Sequence, residues 1–139
     1  MPTLTRWMVK TALGWLVAGL VLGVAMQLPL AARVPALAAV WPTYIHLLVV
    51  GWLTQLVFGV AFWLFPRYSA ERPRGSERLG WAVYALVNAA LLLRLGAEPF
   101  RAWAVVRPAL ALSALLHLAA VGLFIANTWP RLKPRGQSG

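Results

Sequence analysis

The sequence predicts an all-α integral membrane protein, a four-helix bundle with both termini cytoplasmic. Three observations predict it. Of its 139 residues 61% are apolar and only 12% charged, the apolar residues collect in four long runs, and the cations cluster between those runs. A soluble domain of this size has about half its residues apolar and about a quarter charged, so a water-soluble fold is excluded. Disorder is excluded as well, because chains that fail to collapse are far poorer in apolar residues.

A hydrocarbon core about 30 Å thick takes about 20 mostly apolar helical residues. Runs of that kind cover 11–28, 40–65, 79–95 and 105–127, the third being the shortest. All ten prolines fall outside these runs or near their ends. A proline inside a span would delete a hydrogen bond that lipid cannot replace, so this placement supports the boundaries. Because the first span follows Arg6 and Lys10, a secretory signal with cleavage near Ala36-Leu37-Ala38 must be weighed. Its run is longer than a signal core and is separated from that site by Pro29, Arg33 and Pro35. The helix is therefore expected to stay. Residues 67–78, with Pro73, Gly75 and Ser76, form a linker between two helical hairpins. Residues 1–130 read as one membrane domain, and 131–139 as a basic disordered tail near anionic lipid.

Thirteen Lys and Arg face three Glu, a net charge of +10. Nucleic-acid binding is rejected, since it needs the cations gathered on one folded polar surface. The flanks before the first span (Arg6, Lys10), in the linker (Arg67, Arg72, Arg74, Arg78) and in the tail (Arg131, Lys133, Arg135) hold nine cations. The other loops hold four: Arg33, Arg94, Arg101 and Arg107. Cation-rich loops stay in the cytoplasm, which places both termini inside and the chain in the cell inner (cytoplasmic) membrane as a multi-pass protein. Trp7, Trp41, Trp81, Trp103 and Trp129 lie near span ends, where indole favours the interface.

Polar groups are costly in a bilayer, so the few inside the spans are candidates for function. They include Thr43, His46, Thr54 and Gln55 on the second span, Asn88 on the third, and Ser113 and His117 on the fourth. With spans ending at 95 and 127, no carboxylate falls inside one, which argues against the usual proton- or cation-coupled transporters. No cysteine is present, so disulfides, thiolate zinc sites and iron–sulfur clusters are excluded. No phosphate loop, carboxylate pair or nucleophile–base arrangement is found.

The two histidines are the main lead. His46 shares a helical stripe with Thr43, Val50, Thr54 and Val57, and His117 one with Leu110, Ser113, Ala114, Ala120, Val121 and Phe124. Counted from the span starts, their depths differ by roughly 9 Å, so nothing requires them to face each other. Haem b suits the pattern: imidazoles bind iron, apolar walls keep the macrocycle dry, and its propionates need cations. Arg33, Arg94, Arg101 and Arg107 stand on the side where positive charge is not expected, as a buried dianion would require. Snorkelling anchors are the other reading of these arginines, and for Arg94 alone the better one. Hydrogen-bonded packing is the corresponding reading of each histidine. The pair Gly19 and Gly23, and the stripe Gly51, Gln55 and Gly59, are read only as close-contact faces.

The run Thr43-Tyr44-Ile45-His46-Leu47-Leu48-Val49-Val50-Gly51-Trp52, continuing through Gly59 to Phe65-Pro66-Arg67, resembles the second helix of the haem–copper oxidase catalytic subunit superfamily, especially its cbb3-like and nitric-oxide-reductase-like members. The last helix, with Phe124-Ile125-Ala126-Asn127-Thr128-Trp129, is similar to a terminal helix of small membrane proteins related to it. The resemblance implies His46 as a haem ligand and covers about a third of the chain. The superfamily's catalytic subunits have about twelve spans and more histidines, so a binuclear centre within this chain is excluded, which argues against an enzyme without deciding it. His117 has no counterpart and rests on the physical reading. The expected function is a membrane haem b protein of a respiratory or nitric-oxide-related system, in electron transfer or in redox or gas sensing. The alternative is a haem-free accessory or assembly subunit of a respiratory oxidase or nitric oxide reductase; a small transporter comes last. Expected partners are the lipid bilayer and either further copies of the chain or oxidase or reductase subunits.

Overall fold

Four apolar helices long enough to cross a membrane make up most of the chain, and the computed structural model describes residues 1–29, 33–71 and 73–132. No strand occurs among the described residues. α1 runs over Thr3–Gln27 and the short α2 over Pro35–Ala39. α3 is the second span, Trp41–Leu64. α4 covers Glu77–Ala97 and continues as a 3₁₀ turn, Glu98–Phe100. After a second 3₁₀ turn at Ala104–Val106, α5 covers Arg107–Thr128 and ends in the turn Trp129–Leu132.

Several boundaries differ from the sequence expectation. α1 begins at Thr3 rather than residue 11, because Leu4 and Met8 are buried while Arg6 and Lys10 on the opposite face are exposed, so the charged turns remain helical. The third span runs past residue 95 through a 3₁₀ turn to Phe100, which brings Glu98 into the helix end as a residue only 2% exposed. A buried carboxylate therefore stands at the end of a span expected to lack one. At the other terminus Arg131 and Leu132, expected as tail, belong to the last 3₁₀ turn. The rest of the expected tail, and Arg72 of the linker, lie outside the described residues.

Small residues set how the spans meet. A side chain added at Gly23 would strike the Tyr44 ring, and one at Gly59 the Met8 Cβ, each at 2.8 Å. The faces of α1 and α3 thus interlock through glycines, as expected where lipid supplies no hydrophobic drive for helix association. Polar bonds add to this packing. The Trp15 indole N–H donates to Asn88 Oδ1 at 2.7 Å, the Tyr84 hydroxyl and Thr11 Oγ1 lie 2.9 Å apart, and Ser113 Oγ donates to the Ala90 carbonyl at 2.8 Å. These tie α1 to α4 and α4 to α5. The apolar core runs through Leu4, Met8, Phe58, Phe62, Val83, Val87, Leu91 and Ala120.

The linker turns at Gly75, whose φ of 73° needs a residue without a Cβ. Next to it Ser76 caps α4 by accepting from the Leu79 N–H. Asn127 of α5 locks the turn by accepting from the Ser76 N–H at 2.9 Å and donating to its carbonyl at 3.1 Å.

Candidate functional site

α3 is not uniformly α-helical: it is α over Trp41–His46, π over Leu47–Thr54, and α again over Gln55–Leu64. In the π segment each turn takes in about one more residue, and such segments recur at functional sites. Thr54 Oγ1 follows the widened pattern, donating to the Val49 carbonyl five residues back at 2.8 Å. The wide turn changes which residues share a face. His46, Val50, Thr54 and Phe58, spaced by four, line one cavity. Thr43 and Val57, expected on the same stripe, do not line it: Thr43 is buried against Glu98, and Val57 is half-exposed.

That cavity, about 350 Å³, lies between α3 and α5 with α4 behind it, its remaining walls being Val87, Arg94, Ala114, His117 and Val121. The two histidines do face each other across it, with ring centroids 6.2 Å apart and planes tilted by 31°. The depth mismatch expected from counting is absent, and the two helices are joined at their other ends. There Arg131, after α5, bonds to the Phe62 carbonyl of α3 at 3.0 Å. His46 precedes Phe62 by sixteen residues and His117 precedes Arg131 by fourteen, a difference worth only about 3 Å.

Both rings are oriented by their own helices. His46 Nδ1 lies 2.7 Å from the Pro42 carbonyl, to which it donates, leaving Nε2 with its lone pair. Proline at position 42 sits in the first turn, where its missing N–H costs nothing. His117 bonds the Ser113 backbone in the same i−4 manner, and its Nε2 is buried without a partner. A buried imidazole nitrogen with no partner in an apolar cavity is costly, and a metal ion is one means of satisfying it.

The spacing supplies a fit test. Two imidazoles holding one metal ion between them, with bonds of about 2.0 Å and about 1.1 Å from nitrogen to ring centre, would have centroids about 6 Å apart. The observed 6.2 Å meets that value. Among the described residues no group of three or more His, Cys, Asp or Glu side chains could hold a metal ion alone. The cavity volume is that of a small-molecule site and exceeds by about tenfold the share of one water. The site thus offers two facing imidazoles and one arginine within mainly apolar walls.

The four outer arginines separate. Arg94 alone lines the histidine cavity; its Nη1 donates to Glu98 Oε1 at 2.5 Å, and its Nε is buried without a partner. Arg33, Arg101 and Arg107 are exposed and do not line it. Arg94 was the one better read as a snorkelling anchor, yet it is only 17% exposed in its side chain. Thr43 also donates to Glu98, so a buried Thr43–Glu98–Arg94 chain joins α3 to α4 beside the site. The i, i+4 spacing of Arg94 and Glu98 is visible in the sequence; what hid the pair was ending the span at residue 95.

Below the histidines, Phe58, which lines the cavity, stacks on Phe124 at 4.0 Å. No match was found for this chain among family models, curated proteins or solved structures.

Proposed function

We propose that the chain is a membrane haem b protein that transfers single electrons, in which His46 and His117 would hold the iron and Arg94 would be the cation beside a propionate. One observation carries this reading: two helix-anchored imidazoles face each other at 6.2 Å across an apolar cavity, one of them with a buried, unpartnered Nε2. Haem b, when bound, exchanges one electron reversibly at its iron. The chain's own residues do the rest. Pro42 and Ser113 hold the imidazole orientations through their carbonyls, as outer partners of ligating histidines do. Val50, Val87, Phe58, Ala114 and Val121 exclude water, and Arg94 offers a buried guanidinium donor. With both histidines holding the iron, the site would favour electron transfer over gas sensing.

The excess of cations before α1, in the linker and after α5 supports an orientation with both termini cytoplasmic, in the inner membrane. In that orientation the histidine end of α3 lies toward the outer face. The system served is respiratory or nitric-oxide-related, on the strength of the His46 helix resemblance. α1 and α5 are mostly uncovered, with 17% and 11% of their most apolar windows buried, so flanks remain for a second copy or for oxidase or reductase subunits. These same flanks support the alternative, a haem-free accessory subunit.

The test is a dithionite-reduced minus oxidised spectrum of protein made with ample haem supply. A sharp low-spin b-type α band is expected, absent in His46→Ala and in His117→Ala, and the ferrous protein should not react with carbon monoxide. Colourless protein that co-purifies with an oxidase or reductase would replace this reading with the alternative.

A further inference from the structure

We propose that Arg131 is a positioning residue that fixes the register of α5 against α3 and so holds His46 and His117 level. The inference rests on reading the two histidines as one ligand pair. Its starting point is Pro66. Having no N–H, Pro66 cannot serve the carbonyl of Phe62 four residues back, and the carbonyls of Phe65 and Pro66 are free by their place at the helix end. Arg131 meets all three: Nη1 donates to Phe62 at 3.0 Å, Nη2 to Phe65 at 2.7 Å and Nε to Pro66 at 3.0 Å. Its guanidinium carbon also lies 5.8 Å from the Phe62 ring centre and 5.9 Å from that of Phe65. The residue is 2% exposed, which is unusual for an arginine.

The planar fork makes this a register device. Three donors fixed in one plane reach three carbonyls of one helix end in only one alignment, whereas a lysine would reach them singly. α3 and α5 have few other ties, because α4 lies behind them and the cavity between them. Their other ring contacts are the Phe58–Phe124 stack and the histidine pair itself. Sliding α5 by one turn would move His117 about 5 Å along α3, well beyond the roughly 0.5 Å that ligand geometry tolerates.

The chain has no cysteine, so a spin-label pair can be placed without background. Val49→Cys on α3 and Leu112→Cys on α5 are half-exposed positions outside the cavity lining. Distances between them are measured by electron double resonance in haem-free protein, with and without Arg131→Ala. A broadened or doubled distribution is expected for Arg131→Ala and a smaller change for Arg131→Lys. Thr128→Ala, which removes only a bond within α5, should leave the distribution unchanged. In haem-loaded protein, Arg131→Ala should raise the carbon-monoxide-reactive fraction by at least about fivefold. An unchanged distance distribution in Arg131→Ala overturns the proposal, or in Arg131→Lys if the alanine variant does not fold. Colourless parent protein with a broadened Arg131→Ala distribution overturns the haem reading and keeps the register role.

Discussion

Phe58 of α3 and Phe124 of α5 lie almost parallel, with ring centroids 4.0 Å apart and planes at 10°. Phe58, 9% exposed, lines the histidine cavity and belongs to the apolar core with Phe62 and Val87, and Phe124 packs against that core. Phe58→Ala should therefore cost about 3 kcal/mol, the usual loss for a buried phenylalanine, and extend the cavity downward. Phe124→Ala, at a half-buried position, should cost less. Thermal unfolding in detergent followed by circular dichroism measures both, and equal losses would count against this division.

Removing Arg94 should be more damaging than removing any of the other outer arginines. Arg94→Gln leaves Glu98 buried without its cation, at a cost of about 3 kcal/mol, and Arg94→Gln with Glu98→Gln should recover most of it. Arg101→Gln and Arg107→Gln are surface changes, expected to stay within about 0.5 kcal/mol. Haem retention after gel filtration should fall for the Arg94 variants alone. A comparable fall in Arg101→Gln would move the propionate partner to that loop.

Two glycines provide an internal control on the packing of α1 against α3. A Cβ at Gly59 would come within 2.8 Å of the Met8 Cβ, which cannot swing aside as a side-chain end can. Gly59→Ala should thus destabilise by about 1–3 kcal/mol. Gly14 has nothing within 4 Å of an added Cβ, so Gly14→Ala should be neutral or stabilising. Chemical or thermal denaturation of the pair decides it.

The proposed orientation is open to thiol labelling, again because the chain lacks cysteine. Arg101→Cys should react with an impermeant maleimide in intact cells with the outer barrier opened, and Glu71→Cys only after the inner membrane is permeabilised. Both positions are exposed. The reverse pattern would invert the bundle.

Hydropathy and proline placement made the four spans legible in the sequence, because those two properties answer to the bilayer rather than to neighbouring helices. The helix ends were less legible. Leu4 and Met8 extend α1 by packing on α3 and α4, and the 3₁₀ turn after Ala97 exists where Glu98 is received by Thr43 and Arg94. His46 and His117 stood out by residue type alone, since ionisable groups are rare in lipid. Their meeting did not, because depth counted from span starts ignores where two helices are fastened.

By itself, then, the sequence determined an all-helical chain with four membrane-length apolar helices and two histidines within them. Tertiary structure decided that these two imidazoles share one cavity, that Arg94 rather than Arg101 or Arg107 borders it, and that Arg131 is buried instead of lying in a tail. The physical reason is the range over which each cause acts. Transfer to lipid is a property of each segment and can be summed along the chain. Register between α3 and α5 depends on one guanidinium finding the carbonyls that Pro66 and the helix end leave free, sixty-five residues away in sequence.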